Sequence, residues 1–205
     1  MPNVVYVVKS GISHMTVGIT LMKLDLACGQ NKLEGYTGVD FVETDHVDQV
    51  VNLLEFPWPW EDNSVEAVHC SHFVEHIPHQ IGDSPKDGWF QFFDELWRVC
   101  KHDAECVFIH PYLMSPRAFW DPTHRRFIHD VTWWYLQEEW RKANNLDHYL
   151  VECKFEVVSI VPLTYNMTPG RSDFNLKSIE GQTFARLHYW NVYDDLQVIL
   201  RAKKE

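Results

Sequence analysis

The stretch Lys23-Leu24-Asp25-Leu26-Ala27-Cys28-Gly29-Gln30-Asn31, followed by Gly38-Val39-Asp40, decides how the rest of the chain reads. An alternating apolar run that ends in small residues is the pattern of a buried strand turning sharply at its carboxyl end, where open α/β sheets place their ligands. A second short strand, Tyr36 to Val39, ends in the acid Asp40, twelve residues after Cys28. A carboxylate at that station accepts two hydrogen bonds from a ribose diol, while small turn residues let backbone N–H groups approach a ligand closely. Together the two strand ends point to a nucleoside site, with Asp40 on the sugar.

The totals set the frame. At 205 residues, 45% hydrophobic and 14% aromatic, with nine tryptophans and twelve phenylalanines, the chain has the material for one domain with a sizeable core. Its net charge of -11, from 29 acids against 18 bases, repels a nucleic-acid backbone and argues against a polymeric substrate. The local basic cluster is Arg117, Arg125 and Arg126, with Arg141-Lys142 and a basic tail later. Cys28, Cys70, Cys100, Cys106 and Cys153 form an odd set without a C-x-x-C pair, the usage of buried free thiols in a reducing compartment. No apolar run has the length of a membrane span, so a cytoplasmic protein is expected, with no membrane partner.

Residues 1 to 21 differ in character: Val4-Val5-Tyr6-Val7-Val8, then a Gly/Ser/Thr-rich stretch. They read as a flexible N-terminal arm of little function, or a short edge strand, ahead of a single domain over residues 22 to 205. After strands at 23 to 27 and 36 to 40, Val50 and Val51 mark a third, with Asn52-Leu53 at its carboxyl end. Pro57-Trp58-Pro59-Trp60 is a rigid loop, since two prolines remove donors and fix φ. A fourth strand runs from Val65 to Cys70, with Ser71-His72 just past it. Ser84-Pro85 supplies an N-cap and first-turn proline for an amphipathic helix whose stripe is Trp89, Phe93, Leu96, Trp97 and Cys100. A fifth strand covers Glu105 to His110, a helix capped by Asp130 covers about 131 to 143, and strands follow at 153 to 161 and 188 to 201. The segment from Thr168 to Gln182 reads as a polar connection.

Four segments in order now carry a resemblance: Asp25-Leu26-Ala27-Cys28-Gly29, Gly38-Val39-Asp40, Pro57-Trp58-Pro59-Trp60-Glu61-Asp62-Asn63-Ser64, and Ser71-His72-Phe73-Val74-Glu75-His76-Ile77-Pro78. They look like the successive motifs of class I S-adenosylmethionine-dependent methyltransferases, closely over residues 22 to 112 and in general architecture afterwards. The resemblance implies an α/β fold, Rossmann-like and doubly wound, with a mostly parallel sheet and a C-terminal antiparallel strand pair. It implies S-adenosylmethionine as cofactor, held by Asp25, Ala27, Cys28, Gly29, Asp40, Asn52, Leu53, Ser71 and His72. Asn52 and Leu53 stand where the family carries an acid and an apolar residue against the adenine ring. The glycine motif keeps only its middle glycine. Ala27 adds one methyl, and Asn31 tolerates a left-handed backbone, so the turn is expected to persist. Only eight residues, Asn31 to Gly38, connect the first two strands, so a shortened turn or a trimmed fold replaces the usual helix.

A sulfonium already activates its methyl group, so the protein's main task is to align a small-molecule acceptor, with base help only where the acceptor carries a proton. The loop Asp121-Pro122-Thr123-His124-Arg125-Arg126, beside Phe119, Trp120 and Phe127, reads as a lid for such an acceptor. His124 is the expected base and Asp121 the group that orients it. His72 and His76, four apart with Glu75 between, invite a metal reading. Pro78 leaves barely a turn of helix there, so no metal is expected, and Glu75 and His76 are read as a hydrogen-bonding pair. A non-catalytic partner or scaffold of the same fold is the competing class. A nicotinamide oxidoreductase stands third, lacking G-x-G-x-x-G.

Overall fold

In the computed structural model, which describes residues 22–165 and 178–204, the founding stretch opens as expected. Met22–Leu26 form β1, whose Leu24 and Leu26 are fully buried because helices and loops cover both faces of the sheet. The further strands are β2 (Thr37–Asp40), β3 (Gln49–Val50), β4 (Val65–Ser71), β5 (Cys100–Pro111), β6 (Phe155–Leu163) and β7 (Asp195–Ala202). They form one seven-stranded sheet in the order β3-β2-β1-β4-β5-β7-β6. β3, β2, β1, β4 and β5 pair in parallel, and β7 runs antiparallel to both β5 and β6. The strand order reverses between β1 and β4, which opens a crevice at the carboxyl ends of the central strands.

Between β1 and β2 the chain makes turns, without a helix. The helices are α1 (Gly88–Val99), α2 (Arg117–Trp120), α3 (Asp130–Trp134), α4 (Glu138–Ala143) and α5 (Ile179–His188), with a 3-10 turn at Val74–His76. α1 buries Trp89, Phe92, Phe93, Leu96 and Val99. Phe93 lies with its ring 5.3 Å from Phe108 and 5.6 Å from Trp133, so one aromatic layer joins α1, β5 and α3. Each such fully buried ring contributes roughly 1.5–3 kcal/mol. Trp58 and Trp60 of the Pro57 loop close the other end of this layer, Trp58 edge-on to Phe92 at 5.3 Å. All five cysteines are free and buried. Among the described residues no helix is long and apolar enough to cross a membrane.

Several expected boundaries move, each for a physical reason. α1 is capped by Asp87, which accepts from Trp89 N–H at 2.8 Å, whereas the Ser84 hydroxyl accepts from Lys86 N–H within its own turn. The helix expected over 131 to 143 is two helices, because Phe155 N–H of β6 takes the Leu136 carbonyl at 3.0 Å and the Gln137 side chain accepts from Val157 N–H. β5 begins at Cys100, directly after α1, and β3 stops at Val50. Residues 188 to 194 are not strand: the partners of β7 on both sides stop at its residue Asp195, and α5 occupies 179–188. The expected arm over residues 1 to 21, and most of the connection expected from Thr168, lie outside the described residues.

Candidate active site

The turn after β1 is held by two carboxylates. Asp25, 2% exposed, accepts from Leu33 N–H at 2.7 Å and faces His69 Nδ1 across the β1–β4 register at 2.6 Å. Asp40 accepts from Gly29 N–H at 3.0 Å through Oδ2 and from Val42 N–H at 3.1 Å through Oδ1. Asp25 therefore sits beneath the loop as its support, while Asp40 keeps half of its four acceptor sites. Ala27 and Gly29 both lie in the left-handed region, at φ 54° and 55°. Gly38 is a true close approach: a Cβ there would stand 2.5 Å from the His46 carbonyl oxygen.

One cavity opens beside this turn, and a second adjoins it. The first, about 580 Å³, is lined among others by Ala27, Asp40, Phe41, Asn52, Leu53 and His72. The second, about 350 Å³, is lined by His72, Glu75, His76, Arg117, Trp120, Asp121 and His124. His72 and His76 belong to both, so the two spaces adjoin. A depression of about 480 Å³ near Glu138, Lys154 and Lys203 lies by the amino end of β6, among surface charges that pair with one another.

His72 forms the common wall and carries a positive φ of 55°. Its Nε2 lies 3.3 Å from Asp195 Oδ2 and its Nδ1 3.3 Å from Glu75 Oε1. These carboxylates, Asp195 first, push its pKa up to about 9, so at neutral pH it is an imidazolium and no base. Asp195 is fully buried; burial alone would raise its carboxyl, but His72 and Arg117, whose Nε is 2.9 Å away, hold it below the usual range.

The loop after β5 is clamped onto the 3-10 turn. Arg125 and Arg126 donate their backbone N–H groups to the Glu75 carbonyl, and the Arg126 guanidinium reaches the carbonyls of Ile77 and Pro78 and the Asp87 carboxylate at 2.7–2.8 Å. Arg117 and Arg126 are thus committed within the fold and form no open basic face. Phe119 and Phe127 stack at 4.6 Å, half exposed, against Trp190.

The structure sorts the sequence-predicted residues unevenly. Ala27, Asp40, Asn52, Leu53 and His72 share the first cavity; Cys28, Gly29 and Ser71 lie outside its lining, the first two flanking the turn that shapes it. Asn52 has its amide tied to Glu55 and to Leu54 N–H, leaving one acceptor site on Oδ1. His124 and Asp121 both reach the second cavity, but Asp121 accepts from the Thr123 backbone and hydroxyl, not from His124. It is the Ala118 carbonyl, 2.9 Å from Nδ1, that orients the His124 ring. Glu75 makes no hydrogen bond to His76. Sequence reasoning passed over Phe41, whose signal was an apolar residue directly after the strand-ending acid, and Asp195, which offered none.

A switch-point crevice under a sheet ordered 3-2-1-4-5-7-6 with only its seventh strand reversed defines the fold of class I S-adenosylmethionine-dependent methyltransferases. Solved structures agree. An S-adenosylmethionine-dependent methyltransferase from Archaeoglobus fulgidus superposes with a TM-score of 0.52 at 19% identity, covering 89% of this chain and 87% of that one. A complex of the Trm112 methyltransferase activator with a putative methyltransferase, from Haloferax volcanii, gives 0.52 at 11% identity, covering 90% and 82%. The cyclase SpnF gives 0.51 at 14% identity, covering 90% and 76%, so this fold also hosts a protein described by another chemistry. No protein-family profile and no curated protein matches the chain.

Proposed function

We propose that the protein binds S-adenosylmethionine in the first cavity and transfers its methyl group to a small polar acceptor held in the second. The observation that carries this reading is the adjacency of the two cavities at the switch point, with Asp40 and Ala27 on one and His124 on the other. A volume of about 580 Å³ suits a nucleoside-sized ligand, and the donor set fits: a carboxylate with free acceptor sites beside apolar walls. Asp40 takes the ribose hydroxyls. Phe41, 71% exposed at the rim, and buried Leu53 sandwich the adenine, with Asn52 Oδ1 on its amine. The turn at Ala27-Cys28-Gly29, supported from below by Asp25, faces the amino-acid end, and the His72 imidazolium attracts its carboxylate, with Ser71 fixing the position of His72 in the chain. The cofactor supplies an electrophilic methyl; the protein's part is alignment and exclusion of water. An acceptor that carries a proton has His124 as its nearest base, and Asp121 acts on that ring only through its neighbours.

Binding of S-adenosylhomocysteine tests this. At about a hundredfold excess over Kd the product should stabilise the fold by about 2.7 kcal/mol, a melting shift on the order of 5–10 °C. Asp40→Ala should weaken binding roughly 10- to 100-fold, with Asp40→Asn, which keeps an acceptor for Gly29 N–H, separating ribose contact from loop support. No shift at millimolar product would remove the enzyme reading. The exposed cluster of Phe119, Trp120, Phe127 and Trp190 favours a second reading, a non-catalytic subunit that docks through aromatics. Absent product binding together with concentration-dependent association would support it.

A further inference from the structure

The second cavity holds a grouping of which methyl transfer, as proposed above, uses His124 alone. One donor atom each of Glu75, His76 and His124 lie within 4.8 Å of one another, the one such cluster of three among the described residues. Glu75 is 2% exposed, and neither carboxylate oxygen has a hydrogen bond; the ring nitrogens nearest to it are His72 Nδ1, 3.3 Å from Oε1, and His124 Nε2, 3.9 Å away. The His72 imidazolium, shared with Asp195, offsets part of the cost of burying this carboxylate, but no hydrogen bond satisfies either of its oxygens.

The surrounding hydrogen bonds prepare both rings for ligation. His124 Nδ1–H donates to the Ala118 carbonyl, which leaves the lone pair on Nε2, the nitrogen facing Glu75. The Thr123 hydroxyl donates to Asp121 at 2.6 Å, so its oxygen accepts from His76 Nδ1–H at 3.0 Å, and His76 likewise carries its lone pair on Nε2. A carbonyl and a Thr–Asp relay that set the tautomer are the outer-shell arrangement of metal-binding histidines. Asp121, expected from the sequence to orient His124, instead orients His76.

We infer that Glu75, His76 and His124 form a binding site for a single borderline divalent cation of the zinc and cobalt class, opening into the second cavity. Two imidazoles and one carboxylate suit such ions better than magnesium or calcium, which prefer oxygen. Coordination at about 2.1 Å needs donors roughly 3–3.5 Å apart, so the cluster closes by about an ångström around the ion. His72 keeps Asp195 as its partner when the ion takes Glu75. Resting on the proposed reaction, the open coordination positions take an oxygen of the acceptor, so the acceptor is a hydroxyl or carboxylate compound. Coordination lowers the pKa of that oxygen, and in the loaded protein His124 is a ligand instead of a base.

The test uses the full chain, stripped of metal by chelator. Co²⁺ titration should give a visible d–d spectrum of low-symmetry N/O coordination, saturating at one equivalent and displaced by Zn²⁺ but not by Mg²⁺. His124→Ala and His76→Ala should each weaken Co²⁺ at least 100-fold. Thr123→Val, which leaves all three ligands in place but removes the hydroxyl between His76 and Asp121, should weaken it 10- to 100-fold. Each variant is checked for an unchanged circular dichroism spectrum, and the two histidine substitutions, at the cavity wall, guard against failure of a buried Glu75→Gln to fold. No Co²⁺ spectrum below about millimolar metal, or a spectrum that survives both histidine substitutions, overturns the site. S-adenosylhomocysteine binding is measured in parallel. Its loss alone strikes the methyl-transfer reading, and loss of Co²⁺ alone strikes this one.

Discussion

Ala27 occupies a backbone conformation that costs a non-glycine residue about 1–2 kcal/mol, at the turn on which the first cavity is built. Ala27→Gly relieves that strain and loses some chain entropy and one methyl, so urea unfolding should show no loss and a gain of up to about 1 kcal/mol. Gly38→Ala should do the opposite, losing about 1–3 kcal/mol, because its Cβ meets a backbone carbonyl that cannot yield. Equal effects of the two would contradict this account of the turn. His110 adds a pH dependence. It is fully buried, donates from Nδ1 to the Pro111 carbonyl and accepts from Trp133 Nε1 at 3.1 Å. Burial pushes its pKa down to about 4, so the unfolded chain binds a proton below about 6.5 that the native one refuses until about 4. Its contribution, about 3 kcal/mol, is whole above pH 6.5 and is lost as pH falls from there to 4. His110→Gln should flatten the acid limb of stability over that window; an unchanged slope would contradict the assignment. At this scale the sequence was legible where a strand end dictates the residue, as at Asp40, and silent where a partner comes from far along the chain. Nothing near His72 announced Asp195, whereas the Asp121-Pro122-Thr123 turn that claims Asp121 is local and was readable as an Asp bonding the backbone two residues on.

Among the elements, the loop from Arg117 to Phe127 has the greatest bearing on the site. Two backbone N–H groups tie it to the 3-10 turn, and one guanidinium, its side chain 11% exposed, secures the segment that follows by satisfying two carbonyls and Asp87. Arg126→Ala should cost about 3 kcal/mol and speed amide exchange at Arg125 and Arg126, whose N–H groups bond the Glu75 carbonyl. Arg126→Lys should recover little, since an ammonium cannot span three acceptors in a plane. Unchanged exchange in both variants would mean that the stacked Phe119 and Phe127 hold the loop unaided. Strands and α1 were readable because a period of 2 or 3.6 records the face an element buries. The division between α3 and α4 was not, because it is made by β6 drawing off the Leu136 carbonyl, a tertiary contact that leaves no local pattern. α5 escaped for a related reason: Ile179, Phe184 and Leu187 are exposed, so its apolar residues trace no buried stripe.

Across the whole molecule, the ordering of seven strands brings β1, β2, β4 and β5 to one edge and with them a nucleoside-sized cleft and a second cavity that share His72. The fold class followed from four short motifs in sequence, each weak alone, because their order mirrors the order in which parallel strands deliver residues to a common edge. The central claim is that Asp40 and Phe41 receive an adenosine. A crystal structure of the full chain grown with S-adenosylhomocysteine tests it most directly. The account expects density for the ribose within hydrogen-bonding distance of both Asp40 oxygens and the adenine between Phe41 and Leu53. Nucleoside density elsewhere on the molecule, or an Asp40 carboxylate without contact to the bound sugar, would contradict it.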